Sequence, residues 1–144
     1  MSAACQSQAS EAQLQRSVAG LQQVPLTVTT AAGKVHRFTV EVARTQEEQA
    51  QGLMNRQSVA ADAGMIFPMV PPRPASFWMK NTLVPLDIIF VRPDGTIASI
   101  EENTVPLSLE PVMSTEPVAA VLELAGGRSA ELGIKGGDRV SWPR

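Results

Sequence analysis

The sequence predicts one mainly β domain, an antiparallel β sandwich or barrel-like fold with one or two short helices. Three observations carry this prediction. Runs of β-branched and aromatic residues recur along the chain, as in Val35-His36-Arg37-Phe38-Thr39-Val40-Glu41-Val42. Turn chemistry separates them, notably Pro93-Asp94-Gly95 and the glycine pairs Gly126-Gly127 and Gly136-Gly137. The chain of 144 residues, 44% hydrophobic and 18% charged, suits a single domain. At this length roughly 65–70% of the unfolded surface is buried on folding, so no staple is required.

Residues 1–24 read as an N-terminal tether or processed export segment, and 25–144 as the single β-sandwich-like domain. The first part is rich in Gln, Ala and Ser, with Leu14, Val18 and Leu21 at helical spacing. Residues 26–30 and 35–42 follow as strands joined by a hairpin at Gly33-Lys34. Alternation in the second puts Phe38, Val40 and Val42 on one face. Thr45-Gln46-Glu47-Glu48 has the spacing of a capping box, in which each side chain satisfies a backbone N–H near a helix start, so a helix is predicted over 46–54.

Residues 64–69 and 76–82 read as strands on either side of a loop holding Pro71, Pro72 and Pro74, which lack the N–H that a central strand needs. Strands over 86–92 and 96–101 flank Pro93-Asp94-Gly95, and a proline-marked connection over 106–117 leads to a strand over 119–124. A helical turn over 129–132 ends at Gly133, and the last strand covers 138–142.

Charge and composition narrow the function. The formal net charge is −2 with the basic residues scattered, which points away from nucleic acid as a partner. One cysteine and one histidine, Cys5 and His36, leave no basis for a multi-cysteine zinc site or histidine-rich ligation, and no cofactor is expected. No apolar run approaches the ~20 residues that cross a bilayer as a helix. Ser2-Ala3-Ala4-Cys5 resembles the end of a lipoprotein signal around its lipidated cysteine, making Cys5 the lipidation candidate. The bland alternative is a frayed terminus with an inconsequential thiol. The expected localisation is extracytoplasmic, periplasmic or membrane-anchored by lipid, with membrane contact only through that anchor.

Several ordered segments carry a family resemblance: Gly52-Leu53-Met54-Asn55-Arg56, Gly64-Met65-Ile66-Phe67, Phe77-Trp78-Met79-Lys80-Asn81-Thr82, Pro85-Leu86-Asp87-Ile88, Asp94-Gly95, Val121-Leu122-Glu123, Gly133-Ile134 and Gly137-Asp138. Together they resemble the uncharacterised prokaryotic family known as domain of unknown function 192, over roughly residues 36–142. The resemblance implies a β-sandwich-like domain, often behind a secretory or lipoprotein signal, and supplies no activity and no site residues.

The residues themselves single out the stretch from Phe77 to Phe90. Alternation sends Leu86, Ile88 and Phe90 to one face and Asp87 to the other with Ile89 and Val91, where a carboxyl among apolar neighbours requires partners. Lys80 and Arg56 are the nominated partners. Two readings stand: a buried ion pair tying strands together, or a pocket floor in which Trp78 stacks on a ligand while Arg56, Lys80, Asn81 and Asp87 orient it. The remaining carboxylates, Glu101, Glu102, Glu123 and Asp138, show no convergence in sequence, and His36 beside Arg37 and Glu41 suggests a solvated face. Met54, Met65, Met69, Met79 and Met113 are soft ligands for which Cu(I) is conceivable, although core filling explains them more simply.

The functional expectation is a non-catalytic extracytoplasmic domain that binds a small ligand or a protein around Trp78, Lys80 and Asp87. Its rival is a hydrolase or related enzyme acting on a cell-envelope component. No nucleophile elbow, phosphate loop or histidine-glutamate metal motif occurs, which leans the reading away from an enzyme.

Overall fold

The first hairpin forms where the sequence places it. Gln23–Thr29 (β1) runs antiparallel to Val35–Val42 (β2), and Gly33, at φ 82°, closes the turn by donating its N–H to Thr30 O. The computed structural model describes residues 16–144. Cys5 and Leu14 lie outside the described residues. β1 starts at Gln23, two residues before the boundary expected at Pro25.

The capping box also forms. Thr45 Oγ1 accepts the Glu48 N–H at 3.0 Å and Glu48 Oε1 accepts the Thr45 N–H at 3.1 Å, opening the helix Gln46–Gln51 (α1). The helix stops short of the predicted Met54 because Gly52 takes φ 47°. α1 and the loop after it supply the crossover that brings Ala63–Arg73 (β3) parallel to β2.

β3 extends past its predicted end, through Pro71 and Pro72 to Arg73. These prolines are tolerated because the register of β3 against Val118–Ala125 (β8) breaks between Pro68 and Arg73, so no regular ladder demands their N–H groups. Ser76–Phe77 (β4) pairs only with Val112–Met113 (β7) in a separate two-stranded sheet. The strand predicted over 76–82 therefore ends at Phe77. Thr82 N–H turns back onto Met79 O, and Asn81 is left-handed at φ 56°, a conformation that asparagine tolerates and a strand does not contain.

Leu86–Val91 (β5) and Ile97–Glu101 (β6) form the expected hairpin, in which Asp94 Oδ1 accepts the Thr96 N–H at 2.9 Å. Val118–Ala125 (β8), Arg128–Leu132 (α2) and Arg139–Ser141 (β9) complete the chain. The main sheet has the order β6-β5-β8-β3-β2-β1-β9, antiparallel except for β2–β3. It curls into a half-barrel until its edges meet: Ile97 N–H donates to Asp138 O and Val140 N–H to Gly95 O, both at 2.8 Å.

Curling creates two cores. Leu26, Val28, Phe38, Val40, Val42, Ile66, Ile89, Val91 and Leu122 fill the concave side. Met65, Phe67, Met69, Met79, Leu86, Ile88, Phe90 and Val121 fill the convex side beneath the segments around β4 and β7. Strands β3, β5 and β8 are consequently buried on both faces, and it is on these strands that the unusual carboxyl groups lie.

Candidate functional site

Asp87 occupies the concave face of β5, as alternation predicts, and is fully buried. Its partners are not the nominated cations. Oδ1 accepts the N–H of Asn103 at 3.0 Å and of Gly127 at 2.9 Å, and Oδ2 accepts the N–H of Ser129 at 2.8 Å. Backbone donors win because the β8–α2 turn passes directly over the strand end. Gly127 reaches φ 86°, and a Cβ on Gly126 would lie 2.7 Å from Asn103 Oδ1 and 2.9 Å from Pro85 O. The two glycines, read from sequence as a plain turn, are what let the chain close around this carboxyl. Asp87 ties β5, the loop after β6 and α2 into one piece.

Arg56 pairs instead with Glu41: Nη1 donates to Oε2 at 2.6 Å and Nη2 to Oε1 at 3.2 Å. Glu41 is thus buried rather than solvated. Lys80 and Trp78 are neighbours across a turn, with the Lys80 Nζ 5.2 Å from the indole centroid. Asn81 is exposed and its carbonyl accepts the Asn55 N–H. Trp78, Arg56 and Asp87 do not converge: Trp78 lines one cavity, Arg56 and Glu41 border another, and Asp87 is sealed. The pocket expected around Trp78, Lys80 and Asp87 is in this respect corrected.

The cavity at Trp78 is the concavity with a chemically exceptional wall. It encloses about 280 Å³ between the end of α1, the far end of β3 and the β4 segment. Leu53, Met54, Phe67, Met69, Phe77 and Trp78 supply its apolar surface, and Phe67 and Phe77 meet edge to face with centroids 4.9 Å apart. Gln49 belongs to the scaffold here, since its amide donates to both Ala43 O and Pro68 O.

Glu123 reaches this cavity from β8. Its residue is 4% exposed, and among the described residues no hydrogen bond or ion pair reaches the carboxyl. Cross-strand partners Met65 and Ile88 flank it with apolar side chains. Burial pushes its pKa up to about 8, so at neutral pH the group is mostly the uncharged acid. A Cβ on Gly64 would come within 2.4 Å of Glu123 O, so glycine is what admits β3 this close to β8. The sequence signal for Glu123 was of the same kind as for Asp87: a lone carboxyl inside the apolar run Val121-Leu122-Glu123-Leu124.

The methionines divide between the two settings. Met65, Met69 and Met79 are buried in the convex core, where Thr104 Oγ1 donates to the Met79 sulfur at 3.1 Å, while Met113 is exposed on β7. Among the described residues no group of three His, Cys, Asp or Glu side chains is placed to hold a metal ion.

The family model DUF192, an uncharacterised group, matches residues 27–142. The chain belongs to DUF192. Among solved structures it is similar to a protein of unknown function from Novosphingobium aromaticivorans DSM 12444, at 51% identity and a TM-score of 0.84, covering 87% of this chain and 89% of that one. It is also similar to a protein from Sinorhizobium meliloti 1021 described as a "putative transcription regulator", at 44% identity and a TM-score of 0.83, covering 85% of this chain and 95% of that one. No curated protein matches. Of the segments by which the chain resembles DUF192, Gly52-Leu53-Met54, Phe77-Trp78 and the glutamate of Val121-Leu122-Glu123 line the cavity, whereas Pro85-Leu86-Asp87-Ile88 belongs to the sealed strut.

Proposed function

We propose that this DUF192 domain is a non-catalytic small-molecule-binding module, held outside the cytoplasm on its N-terminal tether, and that its binding site is the cavity between Trp78 and Glu123. The observation that carries the reading is Glu123 itself. Its residue is buried, no hydrogen bond or ion pair reaches its carboxyl among the described residues, and it lines the cavity that a ligand would fill. Aromatic side chains beside a single orienting polar group are the usual composition of a small-molecule site. The tether and the lipoprotein-like Ser2-Ala3-Ala4-Cys5 support the location.

A hydrolase is the second reading, favoured by one observation: a carboxylic acid kept neutral in an apolar cavity is what a general acid requires. Among the described residues Glu123 is however the single carboxyl lining the cavity, where glycoside hydrolysis uses two. The regulator description of the Sinorhizobium protein draws no support from the charge of this chain, −2 overall with dispersed basic residues.

A thermal-shift screen tests the proposal. The set comprises amines, amino acids, sugars, peptidoglycan fragments, nucleotides and Cu(I), the last because Met54 and Met69 line the same cavity. A ligand at 100 times its Kd stabilises the native state by about 2.7 kcal/mol. The expected result is a hit that Trp78→Ala removes. Stabilisation that persists in Trp78→Ala, or turnover of an envelope fragment, contradicts it.

A further inference from the structure

The other buried carboxyls of this fold are all provided for. Asp87 takes three backbone N–H groups, Asp138 takes those of Lys135 at 2.8 Å and Ala31 at 3.2 Å, and Glu41 takes Arg56. Glu123 alone faces a cavity without a partner among the described residues. We infer that the occupant of this cavity is a small organic cation, its ammonium seated on the Glu123 carboxylate and its apolar body against Trp78 and Phe77. The inference rests on reading the cavity as a ligand site.

The charges around Glu123 favour this class of ligand. On its own face of the sheet one row runs Glu41, Met65, Glu123, Ile88, Glu101 across five strands. Within that row Glu41 is already matched by Arg56, and Glu101 is exposed. The other charged residue of the lining is Arg73, whose β8 partner is Val118, five residues and about 17 Å of strand from Glu123. Among the described residues the cavity wall therefore offers one acidic side chain that no ion pair engages. The Trp78 indole already engages a cation, the Lys80 ammonium 5.2 Å from its centroid, as an electron-rich ring does. A metal ion would find one carboxyl and no cluster of further ligands among the described residues. An ammonium on an apolar body satisfies both the carboxylate and the aromatic walls.

Binding is then coupled to a proton. At neutral pH the Glu123 carboxyl carries one, and seating a cation expels it to solvent, leaving the carboxylate paired. Affinity for a permanently charged ligand consequently rises with pH, up to tenfold per unit, and levels above about 8, where the free group is already ionised.

The test is calorimetric titration of the full chain with benzyltrimethylammonium, whose charge does not titrate, and with benzyl alcohol and benzoate as neutral and anionic counterparts. Measurements run from about pH 6 to about pH 9, in buffers of different ionisation enthalpy. The expected result is selective binding of the cation, tightening with pH and releasing close to one proton at the acid end. Glu123→Gln, which keeps shape and neutrality, should abolish the pH dependence and weaken the cation at least about tenfold at the alkaline end. Equal or tighter binding of benzyl alcohol or benzoate, or affinity that falls with pH, leaves a ligand site but overturns the cation. Failure of all three probes to bind or to move Trp78 fluorescence overturns the ligand site itself.

Discussion

Asp87 and Glu123 lie on adjacent strands one residue out of register, Asp87 opposite Leu124 and Glu123 opposite Ile88, and so face opposite sides of one sheet. On the concave side the chain folds over Asp87 and saturates it with backbone N–H groups. On the convex side it stops short of Glu123 and leaves a cavity. Two carboxyls that look alike in sequence thus have opposite fates: one holds the fold together and the other lines a cavity.

Asp87→Asn should destabilise the domain by about 2–4 kcal/mol, because the amide keeps one acceptor and sets an N–H2 group against backbone donors that have no water to turn to. Urea denaturation checks this. Lys80→Ala should cost less than about 0.5 kcal/mol, and a double-mutant cycle between the two positions should show no coupling, since Lys80 lies on Trp78 and not on Asp87.

Arg56→Ala should cost about 1–3 kcal/mol. It strands the Glu41 carboxylate, whose side chain is 10% exposed, although the 31% exposure of Arg56 keeps the loss below that of a fully buried pair. Adding Glu41→Gln should recover part of the loss, and full additivity in denaturant melts would show that the pair does not act as a unit.

Glu123→Gln should change how stability depends on pH. The folded-state pKa of Glu123 is raised from 4.5 to about 8, so the native state holds a proton that the unfolded chain releases. Stability from this group is complete below about pH 4.5 and declines as pH rises toward about 8. Wild-type melting temperature should fall across that window and the variant should be flatter. Glu48 and Asp94, held below the usual carboxylate range by the backbone N–H groups of Thr45 and Thr96, act with opposite sign and only in more acidic solution.

Trp78→Ala should leave stability within about 1 kcal/mol, because the side chain is 48% exposed, yet remove ligand binding. In a Trp142→Phe background Trp78 is the one remaining indole, and its emission should shift on ligand addition. An unchanged spectrum with undiminished binding would place the ligand elsewhere.

Much of the fold was legible because its signals are local. The Thr45 to Glu48 capping box, the Gly33 hairpin, the Asp94-Gly95 turn and the alternation of β2 and β5 each depend on residues within a few positions of one another. The strand predicted through Trp78 failed because its end is set from afar: Met79 N–H donates to Ser108 O and Asn55 N–H donates to Asn81 O, contacts that no local pattern announces. The site was half legible for the same reason. Trp78 was found as an aromatic among polar neighbours. Its counterpart Glu123, 45 positions later, was passed over because convergence is made by the β8–β3 pairing, and Asp87, the more conspicuous carboxyl, was claimed by the glycine turn at 126 and 127.

The most direct test of the account is a pH titration of the Glu123 side-chain carboxyl by NMR in the ligand-free protein, with Glu123→Gln giving the assignment. The account predicts a midpoint near 8 that moves down when a cationic ligand is added. A midpoint near 4.5, unmoved by any ligand that binds, would mean that Glu123 is ordinarily solvated and that the cavity is not built around it.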